Sequence, residues 1–234
     1  MVNKTVLAMC MATALLAGCK AKDTAAEAAP EAAPEAATAA APEATAAPEP
    51  APEATPAAPA ATAAAVAFDI SKIPVSDKPL PAWPYVALAA GYHYDNNENL
   101  AEQSKDLARV PVWTGGQLLW VEGKTFSDQI DNSDGKTFSK FEVRKSLQQA
   151  IEALGGVRLA ERSFDEATYK ANEKALDDFR QEFHRIRDAY WYDADADTYV
   201  IRRADKAIWI VAQIRNDDGG IMVAEGPLPE APAQ

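Results

Sequence analysis

Apolar residues recur with two different periods along the second half of this chain, and the changes between them mark out its elements. Val143, Leu147, Ala150, Ile151 and Leu154 lie three or four apart and make one helical stripe. Ser139-Lys-Phe-Glu142 ahead of them has capping-box spacing: the serine oxygen accepts from the Glu142 amide, and the glutamate reaches back to the Ser139 amide. Phe138 and Val143 have the spacing of a hydrophobic staple, and Gly155-Gly156 ends the helix. A second, longer helix is predicted from near Asp165 to about Tyr190. Ala171, Ala175, Leu176, Phe179, Phe183, Ile186 and Tyr190 form its buried face, and the opposite face is charged.

Strands are predicted at 107–113 and 117–126, joined by a turn at Thr114-Gly115-Gly116. In the second, Leu118, Trp120, Glu122 and Lys124 alternate with Gln117, Leu119, Val121 and Gly123. A strand at 157–161 follows the first helix. Strands at 198–203, 207–215 and 220–225 complete a meander after the second, with turns at Ala204-Asp205-Lys206 and Asn216-Asp217-Asp218-Gly219. Before all of these, residues 67–84 carry Pro74, Pro79, Pro81 and Pro84, which forbid regular helix, between the apolar anchors Ile70, Ile73, Leu80, Trp83 and Tyr85. This stretch is expected to lie extended across the domain with Trp83 and Tyr85 partly buried. The element order predicts an α+β domain: an antiparallel or mixed sheet with two helices packed on one face.

The first 66 residues follow another pattern. Val6 to Leu16 form an apolar run of about eleven residues behind Lys4, too short for a bilayer core of roughly 30 Å, which needs about 20 residues. Leu16-Ala17-Gly18-Cys19 follows at once and resembles the lipobox of bacterial lipoproteins. The resemblance implies a signal peptide over residues 1–18, cleavage before Cys19, diacylation of its thiol and acylation of the new amine. The residue after Cys19 is Lys20, not Asp, which by resemblance to enterobacterial sorting favours the outer membrane. Residues 19–66 then read as the lipidated cysteine and a linker of Ala, Pro, Glu and Thr with six glutamates between Glu27 and Glu53. Nothing large and apolar is there to bury, and recurring prolines block helix, so a disordered spacer is expected. Stretched at about 3.1 Å per residue it would reach on the order of 140 Å.

Residues 67–234 are left as one periplasmic domain. They carry 28 acidic and 20 basic residues, a net charge of −8, with no basic stripe of the kind nucleic acid requires. Cys10 leaves with the signal and Cys19 is acylated, so the domain has neither disulfide nor cysteine metal ligand and depends on its core.

Candidate chemistry is sparse. His93 stands among aromatics in Gly91-Tyr92-His93-Tyr94, read as a loop that could form a recognition surface with Trp83 and Tyr85 or could simply pack. His184 reads as a solvated or boundary side chain. Asp193, Asp195 and Asp197 open like a calcium loop, but Thr198 stands where glycine must turn the chain and Ala204 where a bidentate glutamate belongs. The run is therefore read first as a polar connection and second as a weak calcium site. Arg202 and Arg203 interrupt apolar strands; either one forms a partly buried ion pair with Glu142 or Glu122, or they bind an anion or carboxylate. Glu122 with Asp128 is a conceivable glycosidase pair that nothing singles out, and no Gly-x-Ser-x-Gly, phosphate loop or His-Glu-x-x-His occurs.

At Ile70-Ser-Lys-Ile73-Pro-Val-Ser76, Trp120-Val-Glu-Gly-Lys124 and Tyr199-Val-Ile-Arg-Arg203 the domain resembles the N-terminal region of Gram-negative outer-membrane lipoproteins that carry an OmpA-like peptidoglycan-binding domain behind it. The resemblance covers most of residues 68–225, and none of its motifs is catalytic. The OmpA-like domain does not follow Glu225, so its peptidoglycan-binding residues are not carried over. The expectation is a non-enzymatic outer-membrane lipoprotein without cofactor or metal. It is held in the membrane by lipid on Cys19 and binds or braces an envelope protein or cell-wall partner through Trp83, Tyr85, Tyr92, His93 and Tyr94 or through Arg202 and Arg203. The alternative is a cell-wall glycan-binding module or accessory hydrolase.

Overall fold

The computed structural model describes residues 67–230; the signal, Cys19 and the linker expected at 1–66 lie outside the described residues. Seven strands form one antiparallel sheet: β1 (Tyr92–Tyr94), β2 (Ser104–Trp113), β3 (Leu118–Asn132), β4 (Val157–Ala160), β5 (Asp197–Arg202), β6 (Lys206–Ile214) and β7 (Gly219–Pro227). Their order is β1-β3-β7-β6-β5-β4, with β2 also paired to β3. Helix α1 (Lys140–Ala153) falls between β3 and β4, and helix α2 (Glu166–Glu182) between β4 and β5. No helix among the described residues is long and apolar enough to cross a membrane.

The class and the antiparallel sheet agree with expectation, but the two helices do not share a face. Val143, Leu147 and Ile151 of α1 pack with Phe126, Ile130, Tyr199, Ile201, Ile208, Ile210, Ile221 and Val223. Tyr169, Leu176 and Phe179 of α2 pack with Val110, Val112, Val200, Trp209, Val211, Met222 and Ala224. Alternate residues of β5, β6 and β7 thus belong to two cores on opposite sides of the sheet. The physical reason stands in the strands themselves. Ala207 to Ala212 and Ile221 to Ala224 are apolar at every position and buried at every position. A strand with no polar face must be covered on both sides, one helix to each.

Helix α1 starts as its sequence implies, Ser139 Oγ accepting from the Glu142 amide at 3.3 Å. The reciprocal half of the box does not form. The Ser139 amide donates instead to the Tyr92 hydroxyl at 3.2 Å, and Glu142 takes the Tyr92 O–H at 2.9 Å and the Lys136 ammonium at 2.8 Å. At the other end Gly155, at φ +83°, lets its own amide bond Glu152 O and the Gly156 amide bond Ile151 O, a Schellman closure.

Helix α2 is capped by Asp165, which accepts from the Thr168 amide at 2.7 Å, and stops at Glu182 rather than near Tyr190. Phe183, Ile186, Ala189 and Tyr190 stay buried, but Arg187–Tyr190 is a tighter 3-10 turn. The break follows a close approach to β7: a side chain at Gly220 would stand 2.8 Å from the Arg185 carbonyl and 3.0 Å from Ile186 Cδ1. A spacing of three or four residues suits the tighter turn as well as the α-helix, so periodicity alone could not find the end. Ala171 and Ala175 are exposed, and Tyr169 takes the place expected for them in the core.

Two further differences matter for function. Tyr92–Tyr94 is a strand, its tyrosines buried and His93 half-buried between them, paired to the end of a β3 that runs on to Asn132. The entry segment is a strap pinned at several points: the Phe68 amide to Gln117 Oε1, Ser76 Oγ to Leu154 O at the end of α1, and the Ser76 amide to Arg202 O.

Candidate functional site

The strap, β1 and the turn before β2 enclose a cleft of about 350 Å³ walled by Pro81 to Leu88, Tyr92 to Tyr94, Asn97 and Leu100. All five aromatic and histidine residues singled out between 83 and 94 line it. The walls are held from behind. Tyr94 is buried edge-on against Phe126 at 5.2 Å and donates to Val86 O at 2.7 Å, which ties β1 to the strap. Tyr92 packs edge-on against Phe138 at 5.5 Å and joins the cleft to the start of α1 through Ser139 and Glu142.

On the strap side Trp83 meets Tyr85 edge-on at 5.1 Å, donates its indole N–H to Ser104 Oγ at 2.8 Å, and carries the Lys124 ammonium 4.6 Å above its ring. The Trp83–Pro84 peptide is cis. Tyr85 lies at φ +73°, a left-handed conformation that costs an L-residue of order 1–2 kcal/mol. It is kept there by its amide bonding Ala82 O at 2.8 Å and its hydroxyl donating to Glu225 Oε2 at 2.5 Å, with the Lys206 ammonium 2.9 Å from the same carboxylate. Burial, and then the charge and hydrogen bond of Glu225, push the Tyr85 phenol well up. Burial, helped by Asp128, does the same for Tyr94. Both hydroxyls therefore stay protonated and act as donors to fixed acceptors, not as acids. The result is a preformed, mostly apolar groove with few polar groups at its edge, suited to holding apolar or aromatic side chains.

Arg202 and Arg203 stand elsewhere and do another job. Arg202 Nη1 donates to Ser71 O and Ile73 O, each at 2.9 Å, and Arg203 Nη1 to Lys78 O at 2.6 Å. Both staple the strap to β5, and their ion pairs with Glu142 or Glu122 do not form. Glu142 is taken by Lys136 and Tyr92, while Glu122 faces Arg109 at 3.8 Å on an exposed surface. An arginine at the end of a strand finds backbone carbonyls wherever an extended segment crosses it, a partner that no side-chain pattern announces. Six residues along one strand separate Glu122 from Asp128, about 20 Å at ~3.3 Å each, far beyond the spacing of a glycosidase pair.

The aspartate run is likewise spoken for. Arg144 of α1 grips Asp197 through Nε at 2.6 Å and Nη2 at 2.9 Å, and Asp195 takes Lys140 at 2.6 Å and Arg144 at 3.2 Å. Arg158 adds a third cation 3.7 Å from Asp197. The run is the polar connection expected first, fastened to α1. Among the described residues no three His, Cys, Asp or Glu side chains gather to hold a metal ion. His184 is exposed just beyond α2, as its sequence surroundings imply. Sequence reasoning missed the aliphatic walls Val86, Leu88 and Leu100, which belong to no periodic run, and the cover from Lys124, whose place in an alternating strand does not say which ring it meets. Compared with protein-family models and with curated proteins, the chain matches none of them.

Proposed function

We propose that this chain is a lipid-anchored protein of the outer membrane whose periplasmic domain binds another envelope component through the Trp83–Tyr94 cleft, without turning it over. The observation that carries the binding reading is the convergence of Trp83, Tyr85, Tyr92, His93 and Tyr94 on one cleft of about 350 Å³. The anchoring rests on the Leu16-Ala17-Gly18-Cys19 sequence and the proline-broken stretch behind it. Several acyl chains, at about 0.8 kcal/mol per buried methylene, hold a protein to a bilayer durably, and a long spacer lets the domain search for its partner at high local concentration. One face of Trp83 is covered by the Lys124 ammonium, and the Tyr85 ring stands at right angles to it. An apolar side chain inserted between the walls fits the groove better than a stacked sugar ring.

Two experiments test this. Metabolic labelling with an acyl-chain probe should mark the wild type and not Cys19→Ser, and the variant should leave the membrane fraction. A photo-crosslinker at Leu88 should yield a discrete protein adduct in envelopes that disappears in Trp83→Ala and in Tyr94→Phe/Leu100→Ser, each checked for native circular dichroism. Co-sedimentation with purified sacculi, lost in the same variants, would replace the protein partner by a glycan. An unlabelled wild type would end the anchoring reading.

A further inference from the structure

A second cavity, of about 180 Å³, lies between the start of β2, the middle of β3 and the residues just after α2, and none of its lining belongs to the cleft. We propose that it binds a free α-amino acid as the zwitterion. Ser127 lines it, is only 6% exposed, and has a buried hydroxyl with no hydrogen-bond partner among the described residues. A buried hydroxyl is ordinarily satisfied, so one left open in the lining of a cavity marks a place for a ligand's polar atom.

The remaining lining says what that ligand carries. Arg185 spends Nη1 on Asp95 at 2.7 Å, Asp128 at 3.3 Å and Gln129 Oε1 at 3.5 Å, while its Nε and Nη2 make no hydrogen bond among the described residues and remain to donate. A guanidinium fork and a hydroxyl are the donors a carboxylate takes. Glu102 lines the same space with a carboxylate that no side chain among the described residues engages, the natural seat for an ammonium group. Lys105 and Glu182 pair with each other at the rim, both about half exposed. Such a pair is weak and cancels in charge, so it leaves no excess that would draw in a simple anion or cation. Phe183 supplies one apolar wall. Room for roughly six waters, at about 30 Å³ each, suits a molecule of amino-acid size. The ligand's carboxylate lies on Arg185 and Ser127, its ammonium on Glu102, and its side chain against Phe183.

The test uses the mature chain made acyl-free by Cys19→Ser, with calorimetric titration and thermal shift. Glycine, L-alanine and L-serine are the probes, and acetate, ethylammonium, N-acetylalanine and alaninamide are the controls. At least one amino acid should bind saturably and raise the melting temperature, and each control, lacking one charge, should bind at least tenfold more weakly. Ser127→Ala and Glu102→Gln should each weaken binding at least tenfold. Removing an unpartnered hydroxyl leaves the unliganded melting temperature unchanged or higher, so loss of the Ser127→Ala response cannot be laid to misfolding. No saturable binding by any probe, binding untouched by Ser127→Ala, or acetate binding as well as alanine would each overturn the assignment. All of these outcomes are independent of what occupies the Trp83 cleft.

Discussion

Replacing Arg144 by Met should expose how much the domain depends on one ion pair between α1 and the start of β5. Asp197 is 4% exposed at its side chain, and the two short bonds from Arg144 are its main compensation for leaving water. Removing one partner of a buried pair costs about 3–5 kcal/mol, because the other charge stays buried alone. Two features lower that figure here. Arg144 is itself 30% exposed, and Arg158 remains 3.7 Å from the carboxylate. The expected loss is therefore about 2–3 kcal/mol, which for a domain of this size lowers the melting temperature by about 4–12 °C. Asp197→Asn should cost less, about 1–2 kcal/mol, since Arg144 keeps Asp195 and reaches solvent. The double variant is decisive. With the carboxylate neutralised, adding Arg144→Met should cost under ~1 kcal/mol, giving a coupling of at least ~1 kcal/mol in a double-mutant cycle. Urea unfolding followed by tryptophan fluorescence, with calorimetry beside it, measures all four proteins. If Arg144→Met loses less than about 0.5 kcal/mol, the pair behaves as an ordinary surface contact and the reasoning is wrong. Strictly additive losses would refute it equally.

Alkaline pH should destabilise the fold through its buried phenols. Burial, with Asp197's charge behind it, pushes Tyr199 up to about 12 from the ordinary 10, and burial raises Tyr190 well above its ordinary value. Folded and unfolded chains both hold these protons below pH 10. Between about 10 and 12 only the folded chain does, so Tyr199 alone should remove up to about 2–3 kcal/mol across that window. Urea midpoints against pH, read beside phenolate absorbance, check this; every tyrosine titrating near pH 10 in a still-native protein would contradict it. Arg202→Met should free the strap at Ser71 and Ile73, costing about 1–3 kcal/mol and speeding tryptic cleavage after Lys72 while the sheet stays protected. Unchanged cleavage would return Arg202 to the list of candidate ligand contacts.

The cleft was half legible before the structure. Its aromatics stand close together in the chain, which marks them as a candidate surface, and Pro74 to Pro84 announce an extended strap. Tyr92–Tyr94 read as a loop because three residues carry too little alternation to declare a strand, and what makes it one is the far end of β3. Arg202 and Arg203 read as candidates because a charge in an apolar strand demands a partner. The partners turned out to be the carbonyls of Ser71, Ile73 and Lys78, which every sequence has and none advertises. Nothing in the sequence marks the Ser127 hydroxyl, since a serine within a strand looks the same whether or not something meets it.

Local chemistry settled what local order could settle. The apolar stripe and Ser139 cap of α1, the Asp165 start of α2, the hairpin at Thr114–Gly116 and the meander from β5 to β7 all follow from residues within a turn or two of each other. Only the packed molecule decided that the helices lie on opposite faces, that α2 breaks where Gly220 admits the Arg185 carbonyl, and that Asp197 faces Arg144. Those outcomes depend on which surfaces meet across more than 30 residues of chain. Contact free energy over that distance belongs to the assembled pair of surfaces, and neither stretch of sequence holds it alone.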